Sequence, residues 1–339
     1  MMLLVERLLA GAMVVPFALG LASAPADRKD VVLTFTDQRI VESSGLVASG
    51  DDFVTVNDSG DDGRAFLVDR SGDTVGVATW GEATDVEAIA PWRRGSVLVG
   101  DIGDNNAARD SVSLLRVPIG RGERSVTPDE FELSYPGGAR DAEALLVHPV
   151  THQAFVVSKE VFGGTLYAAP RELRRGRTNR LTPLGPVIGI VTDGAFFPDG
   201  RHLVLRDYGQ AVVYAFPSLE RVGEVPLPDQ PQGEGIAVAA DGSVYVSTEG
   251  QFTSVLRVRL PDALRDVVAP PAPTPSPTPM TTPTTTPTPA PPATRSREGR
   301  ELPETASTDR PVWPWFLTGW LGLGVIVALL LALRRGRST

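Results

Sequence analysis

D-A-E-A-L-L-V-H-P-V-T-H-Q-A-F-V-V-S-K, running from Asp141 to Lys159, is the stretch whose reading decides the fold. Two apolar segments flank a short turn, and two acids, Asp141 and Glu143, stand at the start of the first. β-Branched residues and alternation favour strands, so the stretch reads as a hairpin. The same plan occurs four more times, opening with E-S-S-G-L at Glu42, D-V-E-A-I at Asp85, T-D-G-A-F at Thr192 and G-E-G-I-A at Gly233. Measured on Glu42, Glu87, Glu143, Asp193 and Glu234, the steps are 45, 56, 50 and 41 residues. Repeats of roughly 40–50 residues with several strands each are the mark of a β-propeller.

Working outward, each unit reads as strands a, b, c and d. The b strands are D-F-V-T-V-N, S-V-L-V-G-D, Q-A-F-V-V-S, H-L-V-L-R-D and S-V-Y-V-S-T. The a-to-b turns include P-D-G-R (Pro198 to Arg201) and A-D-G-S (Ala240 to Ser243), both good turn sequences. The fold expected is an all-β propeller of five blades; a sixth would have to come from the long second unit, 87–142. A spare strand, V-V-L-T-F at 31–35, precedes the first unit and can complete the last blade as its outer strand. The P-D-G turns and the spacing resemble secreted bacterial β-propellers of the phytase-like and strictosidine-synthase-like groups, over about residues 30–262. That resemblance implies the fold. It leaves activity open, because members of those groups include metal-dependent hydrolases and binding scaffolds.

The chain divides into a signal peptide at 1–26, a propeller at 27–266, a Pro/Thr-rich stalk at 267–311, a transmembrane helix at 312–333 and a basic tail at 334–339. Residues 3–24 carry an apolar run followed by small residues, as secretory signals do; an uncleaved N-terminal anchor is the alternative. Proline blocks helix and sheet ladders, so the stalk is extended. Residues 315–333 carry no charge and span roughly 28 Å as a helix, close to the ~30 Å hydrocarbon core. Arg334, Arg335 and Arg337 follow, which puts the C-terminus in the cytoplasm and the propeller outside the cell. Ahead of the span stands L-P-E-T-A. With the apolar segment and basic tail it resembles the cell-wall sorting signal of Gram-positive surface proteins, in which a sortase cuts after the Thr of L-P-x-T-G. Leu302, Pro303 and Thr305 match, and Ala306 stands where Gly is expected. The resemblance implies attachment to peptidoglycan; a plain membrane anchor is the alternative.

The formal net charge of −9 repels nucleic acid and favours cations or basic partners. The absence of cysteine excludes disulfides and thiolate metal sites. Strands a and b run antiparallel, so the starts of a and the ends of b share one face of the ring. Metal candidates there are Asp58, Asp61 and Asp62 in D-S-G-D-D, Asp101 and Asp104 in D-I-G-D-N, and Glu87. Hard carboxylate oxygens suit Ca²⁺. The competing reading has each carboxylate capping its own turn. Lys159, Arg206 and Arg140, with Glu143 and Glu234, form a mixed-charge patch for an anionic ligand; ion pairs between blades are the alternative. His148, His152 and His202 fall at a-to-b turns, on the opposite face, which argues against a histidine-based acid/base site at the acidic mouth. Two functions remain: a surface-displayed module that binds an extracellular ligand or protein, stabilised by Ca²⁺, or a Ca²⁺-dependent phosphoesterase or lactonase at the acidic mouth.

Overall fold

The structure is a computed structural model that describes residues 30–270 apart from Ser59, Asp61 and Arg94. The expected signal peptide, the stalk from residue 271, the membrane span, the basic tail, the sorting motif Leu302, Pro303 and Thr305, and the metal candidate Asp61 lie outside the described residues. Among the described residues no helix is long and apolar enough to cross a membrane.

After β1 (Val31–Thr34), the chain builds five sheets, each with an antiparallel core of four strands. Blade 1 is β2 (Ser43–Ser49), β3 (Asp52–Asn57), β4 (Gly63–Val68) and β5 (Thr74–Gly81). Blade 2 is β6 (Val86–Pro91), β7 (Ser96–Asp101), β8 (Val112–Pro118) and, after β9 (Gly122–Ser125), β10 (Asp129–Ser134). Blade 3 is β11 (Ala142–Val147), β12 (Ala154–Ser158), β13 (Thr165–Ala168) and, after β14 (Asn179–Arg180), β15 (Thr182–Pro186). Blade 4 is β16 (Asp193–Phe196), β17 (His202–Arg206), β18 (Gln210–Ala215) and β19 (Arg221–Pro226). Blade 5 is β20 (Gly233–Val238), β21 (Val244–Thr248) and β22 (Ser254–Val258), with β1 antiparallel to β22 as its outer strand. Both ends of the ring thus meet in one blade, which removes an exposed edge.

The ring has five blades. The extra length of the second unit makes no sixth: β9 steps back and pairs in parallel with β5, as a fifth strand on blade 1. β14 does the same for blade 2, pairing with β10. A helix not foreseen in the sequence, α1 (Asp262–Val267), closes the described path and packs Leu264 into the core between blades 4 and 5.

Strand alternation explains the packing. In β11, Leu145 and Val147 join the core shared with blade 2, whereas Ala144 and Leu146 join the core shared with blade 4. Both faces of every blade are therefore apolar, and one buried cluster fills each of the five blade-to-blade interfaces. The expected turns form as read. Asp199 accepts the N–H groups of Arg201 and His202, Asp241 accepts that of Ser243, and Gly200 and Gly242 take the left-handed φ those turns require.

β2, β6, β11, β16 and β20 line the axis and lie against one another. Small residues permit that approach. A Cβ on Gly45 would stand 2.8 Å from the backbone nitrogen of Ile89, and one on Gly235 would stand 2.4 Å from Ser247 Oγ.

Candidate cation site at the acidic mouth

Four of the five inner strands begin with a register irregularity. Opposite the second strand, Ser43 pairs with Asn57 and Gly45 with Val56, so Ser44 is the extra residue. Glu87 and Glu143 are extra in the same way, and Glu234 with Gly235 occupies that place in blade 5. A bulge re-aims a side chain. Ser44, Glu87, Glu143 and Glu234 are consequently equivalent, and all are buried. Glu42, read from the sequence as the partner of Glu87, instead precedes its strand as Asp85 and Asp141 do. β16 lacks the bulge: Asp193 pairs directly with Arg206.

Asp193 has another role. It is fully buried; Oδ1 accepts the N–H of Gly194, and Oδ2 accepts that of Ile236 at 2.8 Å. One carboxylate thus ties the inner strands of blades 4 and 5. Its partners lie on a neighbouring blade and not only in its own turn. Burial raises its pKa, with those N–H groups pulling the other way.

The two similar loops prove to be one residue out of register. Asp101 is the structural equivalent of Asn57, not of Asp58. Asn57 Oδ1 accepts the N–H groups of Val41 and Glu42; Asp101 accepts those of Thr84 and Asp85, and pairs with Arg109 at 2.8 Å. Asp104 caps its own loop through Ala108 N and Arg109 N. Asp62 is exposed and borders a small cavity shared with Asp58.

Asp58, Asp85 and Glu87 converge. Each offers an oxygen within 4.8 Å of the others, from the ends of β3 and the start of β6. Ca²⁺ binds oxygens at roughly 2.3–2.6 Å, so three donors at that separation can share one ion. Gly103 leaves the room: a Cβ there would meet Asp85 Oδ2 at 2.4 Å and Glu87 Cγ at 2.8 Å. Burial pushes Glu87 up to about 10, reinforced by the negative charges of Glu143, Asp58 and Asp85. Asp85, which opens the second repeat, lies outside the metal candidates that the sequence offers.

Beside this cluster, Lys159 contacts Glu143 and reaches Tyr208 Oη at 3.4 Å. Burial lifts Glu143 to about 8 against the pull of Lys159. Burial alone would lower Lys159, but Glu143 outweighs it and keeps the ammonium charged. Glu234 is raised by burial, and Glu249 rises to about 7 by burial and its acidic neighbours. Arg206 is fully buried and donates to Gly235 O at 3.0 Å, Ser247 O and Asp207 O, stitching blade 4 to blade 5. Burial lowers it to about 10. Arg140 pairs with Glu160 at 3.2 Å. Of the three cations expected to meet an anion, Lys159 is the one beside the carboxylate cluster. Tyr208 was not foreseen; its signal is an aromatic residue directly after a strand b end.

No protein-family model matches the chain, and no curated protein matches it. Among solved structures it is similar to a gluconolactonase of Xanthomonas campestris (13% identity, 69% of this chain, 87% of that one, TM-score 0.42). It is also similar to a candidate 6-phosphogluconolactonase of Bacteroides uniformis (15%, 65% and 68%, TM-score 0.36). A third is the hydrazine synthase of Kuenenia stuttgartiensis (18%, 63% and 57%, TM-score 0.35). Such low identities speak only to chain path, and the propeller assignment rests on the strand pairing of this chain.

Proposed function

We propose that the chain is a cell-surface β-propeller whose acidic channel mouth is a Ca²⁺-dependent binding site. Asp58, Asp85 and Glu87 hold the ion, and Lys159 with Tyr208 receives the acidic or oxygen-rich part of an extracellular ligand. The convergence of three carboxylates within 4.8 Å carries this reading. The donor set is all oxygen, as a hard cation requires. A dication beside Glu87 reverses the balance that keeps its proton on, so binding releases a proton. The proposal includes the stalk and the segment 312–333 as anchor, with Leu302, Pro303 and Thr305 as the site of transfer to peptidoglycan. Recovery of the mature protein in a detergent-insoluble wall fraction supports the transfer; complete release by detergent overturns it.

The melting temperature of the full-length protein tests the cation. Saturation at 100 times Kd is worth about 2.7 kcal/mol. An upward shift with Ca²⁺, absent in Glu87→Gln, supports the site; a wild-type melting temperature unmoved by Ca²⁺ overturns it. A second reading, a Ca²⁺-dependent hydrolase of phosphoesters or lactones, is favoured by one observation. Glu143, at about 8 and in contact with Lys159, is a carboxyl poised to exchange a proton near neutral pH. Chelator-sensitive turnover on a phosphoester and lactone panel, lost in Glu143→Gln, would establish it. No turnover on that panel leaves the binding module as the reading.

A further inference from the structure

The opposite end of the channel is unlike the acidic mouth. A cavity of about 320 Å³ lies there, walled by Leu46, Ile89, Leu145, Ala195 and Ala237. At its rim stand Trp92 and His152, whose rings are 6.4 Å apart. The same two side chains border a second cavity of about 390 Å³, on the outer side of blades 2 and 3. Its wall includes Phe131 and three arginines, Arg93, Arg116 and Arg171, against one acid, Glu172. Asp129 stands next to it and is shared between Arg116 and Arg175. The balance is basic, in a chain of net charge −9.

The basic wall is built rather than incidental. Arg171 and Glu172 sit on the loop P-R-E-L-R-R-G-R-T-N-R, 170–180, beside Arg116 on β8 and Arg93 in the turn after β6. Asn179, 4% exposed, fixes that loop: its Oδ1 accepts the N–H of Arg174, and its Nδ2 donates to the carbonyls of Glu132, Arg174 and Arg177. Leu173 and Trp92 pack against the core between blades 2 and 3. Arg171 is thus carried on a fixed loop, and its guanidinium remains solvent-exposed.

We propose that these two cavities form one site for a monomeric anionic amphiphile, a single-chain carboxylate or phosphate. The apolar chain lies in the channel end and the anionic head lies among Arg93, Arg116 and Arg171. Each volume falls in the range of small-molecule sites, roughly 300–1,000 Å³. At about 30 Å³ per group, the size of a water, the channel end takes on the order of ten methylene-sized groups. Arginine forks suit carboxylate and phosphate geometry. The site needs neither the acidic mouth nor a cation, so its fate is separate from the function proposed above.

Photo-crosslinking of the full-length protein in zwitterionic nanodiscs tests it, with diazirine-bearing dodecanoic acid and the matching dodecanol as probes. The acid is expected to label peptides containing Trp92 and His152, at least tenfold more than the alcohol. Labelling should fall about tenfold in Arg93→Ala/Arg171→Ala, two exposed positions that leave the fold intact. Trp92→Ala should weaken labelling by the acid while the circular dichroism spectrum stays unchanged. Equal labelling by acid and alcohol, indifference to the double arginine variant, or labels confined to the C-terminal apolar segment would each overturn the proposal. The last of these outcomes would point to bulk lipid.

Discussion

At one end of the channel the inner strands carry Ser44, Glu87, Glu143, Asp193 and Glu234 in their first two residues; at the other, they carry Ala48, Pro91, Val147, Phe196 and Val238 in their last two. The starts carry bulges in four blades, and the ends pair regularly. A bulge admits a polar residue without disturbing the alternation that serves the cores on both faces. The regular ends have no such freedom, so they expose what the cores demand, apolar side chains. One ring therefore presents a charged mouth and a greasy one.

Asp193 opens the inner strand of blade 4, and its removal should have the largest effect. Asp193→Leu strands the buried N–H groups of Gly194 and Ile236 and deprives Arg206 of a counter-charge. A loss of about 3–5 kcal/mol is expected in urea unfolding. Asp193→Asn should cost clearly less, since its Oδ1 can still accept one of those bonds. If the two variants were equal, the tie between blades would not be what holds this level.

Gly45→Ala comes next, because the new Cβ meets the backbone of Ile89 at 2.8 Å. Overpacking there should cost about 1–3 kcal/mol by the same measurement. A smaller effect would mean that the inner strands can separate.

Glu87→Gln separates the mouths by pH. The folded value of about 10 lies above the ordinary 4.5, so between those values the folded protein keeps a proton that the unfolded chain has lost. The stability this contributes is fully present below about 4.5 and fades as pH rises toward 10. In chelator, Glu87→Gln should match wild type below about pH 4.5 and gain on it progressively as pH rises toward 9. Parallel curves for the two proteins would remove the buried-carboxyl account of this mouth.

The smallest effect belongs to the apolar end. His152 holds φ of 55°, a conformation that glycine adopts freely. His152→Gly should change stability by no more than about 0.5 kcal/mol and leave any Ca²⁺-induced melting shift untouched. A changed Ca²⁺ response would show that the two ends are coupled.

Much of this was legible beforehand for local reasons. Asp199-Gly200 and Asp241-Gly242 made turns because an Asx side chain and a glycine act within three residues. β1 closed the ring because an apolar strand without a partner in its own unit needs an edge. The candidate site was less legible. D-S-G-D-D and D-I-G-D-N look alike, yet a shift of one residue sends Asp101 to the backbone and Asp58 to the cluster, since side chains alternate along a strand. Arg206 looked like an anion contact and is a buried tie between blades.

The sequence alone determined the repeat, the alternation and the turns, and hence a five-bladed ring with acids at one mouth. These are properties of neighbouring residues along one strand or turn. Which acids meet was decided by the tertiary structure. Asp58 belongs to one blade and Asp85 and Glu87 to the next, and only the packing of blade 2 against blade 1 brings their oxygens within 4.8 Å. The burial of Glu87, and with it its raised pKa, follows from that packing as well. The greasy end and its arginine wall come from the same cause, because Trp92 and His152 lie on different blades and meet only across an interface.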